Sequence, residues 1–167
     1  MIPAPKPCGM RYRLNTVPGM TDGLTVDEAL RALAALEAAW KDDDEALSAL
    51  AAGGADERPL PALVAAYGEH AMDTLMALAF GLRSSMSDEE IAELSDAVSA
   101  NIGARMSALL TQTLKAWGTV AEADDLSVTK IIAHTVIDAM RAVTEDPTRT
   151  EVLPLLATFR NYALNDG

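Results

Sequence analysis

Between Leu60 and Leu82 the chain runs for 23 residues with two carboxylates, Glu69 and Asp73, and no lysine or arginine. On a helical wheel of about 100° per residue, Leu60, Val64, Tyr67, Ala71, Leu75, Leu78 and Leu82 share one face. Met72, Met76 and Ala79 widen it. A helix that is apolar over most of its circumference must be surrounded by other elements. The segment of about 60–83 is therefore expected to be the central rod of an all-α bundle. Asp73 interrupts it, so the apolar run stays below the roughly 20 residues that a bilayer span requires.

The flanking sequence supplies the surrounding helices. Thr25-x-x-Glu28 and Ser87-x-x-Glu90 are capping boxes, each opening an amphipathic run. Behind the first, Leu30, Leu33, Leu36 and Trp40 recur at helical spacing, and the acidic run Asp42, Asp43, Asp44 and Glu45 starts a second, short helix closed by Gly53 and Gly54. Pro59 and Pro61 mark the start of the central rod. Behind the second box a single helix of about 30 residues is expected to reach Trp117, with Gly118 as its C-cap. Its inner face reads Ile91, Leu94, Val98, Ile102, Met106, Leu109, Thr113 and Trp117, and Gly103 marks a bend or a close helix contact. A helix capped by Asp125 or Ser127 turns Val128, Ile132, Val136, Ala139 and Val143 inward, and Lys130, His134, Asp138, Arg141 and Glu145 outward. Asp146-Pro147 stops it, and a last helix covers about Glu151–Ala163 with Pro154 in its first turn. The sum is a single domain of five to six helices over 25–167, without a strand pattern, a repeat or a low-complexity tract. Alanine, at 31 of 167 positions, agrees with helix.

Residues 1–24 differ. Pro3, Pro5, Pro7 and Pro18 predict an extended arm, and Lys6, Arg11 and Arg13 against Asp22 give it a charge of +2. With the whole chain at −12, the body from residue 25 carries −14. Such a body is expected to bind neither nucleic acid nor an anionic membrane. Cys8, the one cysteine, has no internal disulfide partner and no base beside it in sequence. With no signal-peptide pattern at the N-terminus, a cytoplasmic protein is expected.

Candidate chemistry is sparse. His70 with Asp73, and His134 with Asp138, stand three and four residues apart, so each pair shares one side of its helix; two such helices facing each other would make a four-ligand metal site. A buried Asp73 carboxylate would need a partner such as Arg83, Arg105 or His70. The methionines Met72, Met76, Met86, Met106 and Met140 read as core filler or as an adaptable groove. The acidic groups Asp42, Asp43, Asp44, Glu45, Asp88, Glu89 and Glu90 sit at helix starts, where they compensate the helix dipole or dock a basic partner. No phosphate loop, nucleophile elbow, dinucleotide fingerprint or Cys-x-x-Cys pair is present, and nothing points to a cofactor. The leading expectation is a non-enzymatic protein-interaction module of inhibitor, immunity or adaptor type with a basic protein partner. The alternatives are a metal- or ligand-binding bundle, with enzymatic activity open to it, and a subunit that assembles with itself through the arm or its apolar helix faces.

Overall fold

A computed structural model of the chain describes residues 23–54, 56–83, 85–144 and 151–165. Among these it is all-α, with seven helices: α1 (Val26–Trp40), α2 (Asp44–Ala51), α3 (Leu60–Ala79), α4 (Asp88–Ala100), α5 (Ile102–Val120), α6 (Leu126–Ala142) and α7 (Val152–Asn165). Most of the arm, and with it Cys8, lies outside the described residues, as do Glu145, Asp146 and Pro147. Leu24, the last residue of the expected arm, is buried with the core.

The helix boundaries follow from local chemistry. Both capping boxes form: Glu28 N–H donates to Thr25 Oγ1 at 3.1 Å, and Ser87 N–H donates to the Glu90 carboxylate at 2.7 Å. Asp43 caps α2 by accepting from Ala46 N–H, and Asp125 caps α6 by accepting from Val128 N–H, both at 3.0 Å. Between α1 and α2 the chain turns in a Schellman motif, in which Asp43 N–H reaches Ala38 O and Asp42 N–H reaches Ala39 O. That geometry places Asp42 at φ 54°, in the left-handed region.

Helices α3 and α6 pack together, and α1 and α5 flank the pair, each touching both. Helix α7 lies on α1, α2 on α1 and α6, and α4 on α5. Leu33, Leu36, Leu63, Ile132, Ile137 and Met140 are among the fully buried side chains, each stabilising the fold by about 1.5–3 kcal/mol. The central pair meets at Gly68, where an added Cβ would overlap Val136 Cγ2 and stand 3.5 Å from its Cγ1. One cation ties this half together: Arg31 donates to Leu50 O from Nη2 at 2.7 Å and from Nε at 3.2 Å, to Arg58 O at 3.2 Å, and pairs with Glu57 at 2.9 Å. It thereby satisfies a carbonyl at the C-terminus of α2 and fixes the loop to α3.

Three expectations require correction. First, the central rod ends at Ala79, because Gly81 at φ 74° closes a Schellman turn from Leu82 N–H to Ala77 O and from Gly81 N–H to Leu78 O. Most of its residues from Leu60 to Met72 are buried as expected, but Asp73, Leu78 and Ala79 are exposed. Second, Trp40, which continues the helical spacing of Leu30, Leu33 and Leu36, is 39 % exposed at the end of α1 while Leu33 and Leu36 are fully buried. Third, the long helix is two helices. Asn101 is extended, at φ −76° and ψ 125°; its N–H still closes α4 on Ala97 O and Val98 O while its side chain accepts from Ala104 N–H and opens α5. Asparagine favours this role because its short amide competes with helical backbone bonding and caps well. Gly118 is no cap; it lies inside α5, packed on α3.

Candidate functional site

The four residues proposed as metal ligands lie on two helices, His70 and Asp73 on α3, His134 and Asp138 on α6. Among the described residues no three histidine, cysteine or carboxylate side chains gather to hold a metal. The His134 ring packs on Trp40, with centroids 6.1 Å apart, and Asp138 leans on Arg141 at 3.6 Å one turn along the same helix. His70 is half-buried. Asp73, which would need a partner if buried, is exposed as a residue. Its carboxyl nonetheless loses enough water against the bundle, and lies close enough to the Glu69 carboxylate, to be pushed above the ordinary range; Lys115 opposes the shift. Lys115 itself pairs with Glu69 at 3.2 Å.

The acidic residues at helix starts are largely occupied by the fold. Asp43 and Glu90 are engaged in caps, and the Ser87 backbone N–H holds the Glu90 carboxyl below its usual range. Asp42 and Asp44 pair with Lys130 of α6 at 3.3 and 2.6 Å, and together they push the lysine above its usual range. Glu45, Asp88 and Glu89 are exposed in the first turns of their helices, where the dipole favours them.

The apolar surface of α5 is where the structure departs most from the expectation. Ile102, Met106, Leu109 and Trp117, expected on the inner face, are 73, 66, 63 and 43 % exposed, and Val120 beside them is 81 % exposed. The residues that face the bundle are Ala104, Thr111, Leu114 and Gly118, with Leu110 half-buried against the core. Of these only the two leucines are large. At Gly118 a Cβ would stand 2.9 Å from Ala65 Cβ and 3.0 Å from Pro61 O, so α5 approaches the backbone of α3 closely there. Thr111 satisfies its hydroxyl within the helix, on Ser107 O at 2.9 Å. On the wheel, Ile102, Met106, Leu109, Thr113, Ala116 and Val120 occupy a stripe about 80° wide, directly opposite the buried face, with Trp117 at its margin.

Their spacing is 4-3-4-3-4, the a/d alternation of a coiled-coil seam. Taking a fully exposed large side chain as on the order of 150–250 Å², the five large residues of this face offer roughly 600 Å². The largest apolar patch on a typical monomer is about 300–600 Å², and patches of this size often mark interaction sites. The stripe carries no acid; indeed α5 holds Arg105 and Lys115 and neither aspartate nor glutamate. One signal in the sequence could have revealed the exposed face, namely Asn101 as a helix-starting residue in the middle of the expected long helix.

No protein-family model matches the chain, and neither a curated protein nor a solved structure matches it. No helix among the described residues is long and apolar enough to cross a membrane.

Proposed function

We propose that this protein is a non-enzymatic interaction module, a helical bundle that engages another protein chain through the outward face of α5. One observation carries the reading: α5 packs on its own bundle with Ala104, Thr111, Gly118 and the two leucines Leu110 and Leu114, and leaves five large apolar residues, Ile102, Met106, Leu109, Trp117 and Val120, exposed. Monomeric folding would favour the reverse placement, since burying each large aliphatic side chain stabilises by about 1.5–3 kcal/mol. Since the acidic residues at the helix starts largely serve caps and ion pairs, the reading rests on the apolar face rather than on charge.

The test is a photo-cross-linking side chain placed at Leu109 in the native host, with a second at the exposed Ser48 of α2 as control. Adducts to a protein chain from position 109 and not from 48 are expected. Equal labelling at both positions, or none at 109, rejects the proposal.

A further inference from the structure

We infer that the chain covering this face is a second copy of the same protein, its α5 lying antiparallel to the first. The inference rests on the docking-face reading above and names its occupant. The 4-3-4-3-4 spacing is the same read from either end. Two antiparallel copies centred at the level of residue 111 therefore place Ile102 against Val120, Met106 against Ala116 and Leu109 against Thr113, each layer occurring twice. Every layer joins a larger side chain to a smaller one, the alternation that fills a core at constant separation. Parallel copies would stack Met106 on Met106 and Ala116 on Ala116, crowding one layer and leaving a gap in another.

Local charge permits the pairing at this face. On a chain of −12 most surfaces repel a second copy, but α5 is without acids and has two basic residues. Antiparallel pairing brings Arg105 toward the end of the partner's helix, which runs on into Glu122 and Asp124 in this sequence. A basic partner would find no carboxylate along the seam. With Trp117 at the margin covered as well, about 600 Å² from each copy gives about 1,200 Å² in all, which reaches the lower bound for specific, stable interfaces.

Sedimentation equilibrium of the full chain from about 1 to about 100 µM is expected to show twice the chain mass at the upper end. Leu109→Glu, which puts a charge in two central layers, is expected to weaken association by roughly 100-fold or more while leaving the helical dichroism unchanged. Register is read from cysteines in a Cys8→Ser background. Oxidising a mixture of Ile102→Cys and Val120→Cys chains should give the mixed dimer, and neither chain alone should cross-link. Homodimers from each chain alone would overturn the antiparallel arrangement, and a monomer at every concentration would overturn the self-pairing. The docking-face reading fails separately, by the absence of any adduct at position 109, so that a monomer whose position 109 still cross-links to a different protein condemns only the second copy.

Discussion

Gly68→Ala tests the closest contact in the bundle, and two effects of opposite sign decide its outcome. Alanine is the better helix former by about 1 kcal/mol. Against that, the new Cβ would overlap Val136 Cγ2, and Val136 is fully buried. A β-branched side chain in a helix has essentially one rotamer, so Val136 cannot swing aside and the helices must part. Overpacking of this kind costs about 1–3 kcal/mol, at the upper end here, leaving the variant about 1–2 kcal/mol less stable. In a domain of this size each kcal/mol moves the midpoint by about 2–4 °C, giving a drop of about 2–8 °C. Val136→Ala removes both γ carbons and costs on the order of 2 kcal/mol by itself. In that background Gly68→Ala should turn stabilising by about 1 kcal/mol, for a coupling energy of about 2–3 kcal/mol. Urea unfolding of the four proteins, followed by far-UV dichroism at low concentration, measures the cycle. A Gly68→Ala protein as stable as wild type, or a shift equal in both backgrounds, would refute the close approach of α3 and α6 at this point.

Three further substitutions probe the helix ends and the packing between α1 and α7. Asp42→Gly relieves a left-handed φ of 54° and should gain about 0.5 kcal/mol, read as a small rise in melting midpoint; its ion pair adds little because Asp42 is 82 % exposed and Lys130 keeps Asp44. Asn101→Ala should cost about 1 kcal/mol in urea unfolding by removing the α5 cap, and Asn101→Ser should recover most of it. Glu37 bridges Lys41 at 2.6 Å and Arg160 of α7 at 2.8 Å, and hydrogen bonds to these cations hold its carboxyl below the usual carboxylate range. A carboxylate lowered on folding stabilises above its unfolded value and loses that contribution as pH falls through the folded one. Glu37→Gln should therefore cost about 0.5–1 kcal/mol at neutral pH, and the deficit should vanish in a pH titration carried well below 4.5.

What could be read from the chain alone divides at Asn101. The boxes at Thr25 and Ser87, the cap at Asp125, the short second helix and the inward Ile132 and Val136 of α6 depend on interactions a few residues apart, and all stand where the sequence places them. The inner face of α5 does not, because one extended residue redirects the chain and breaks the phase between Val98 and Ile102. Hydropathy marks which side of a helix is apolar; it does not say whether the cover comes from the same chain. Ile102, Met106 and Leu109 are expected inside because they continue the helical phase of Ile91, Leu94 and Val98, yet the contact with α3 falls on another side of α5, where Gly118 lets the two backbones approach. The metal expectation met a related limit. Spacing puts His70 with Asp73, and His134 with Asp138, on one side of a helix each, but whether α3 and α6 turn those sides together depends on their packing, and at their contact stand Gly68 and Val136 instead.

Salt separates self-pairing from the capture of a basic chain. A helix with apolar stripes on opposite sides is stable when both are covered, and among the described residues of one chain only the side that carries Ala104, Thr111, Leu114 and Gly118 is buried. Covering the other with a second copy joins two chains of −12 each. Their long-range repulsion opposes association and is screened over about 8 Å at physiological ionic strength, whereas the seam is apolar and gains from added salt rather than losing. The Arg105 contacts at the ends of the pair are exposed and few, so they weigh less than the summed charge. The self-association constant should therefore rise several-fold as sodium chloride increases from low to physiological concentration. A basic partner steered by the acidic body would show the opposite, an affinity and association rate that fall with salt. A dimer that dissociates on adding salt would mean that ion pairs hold it, and the apolar seam of α5 would then not be its interface.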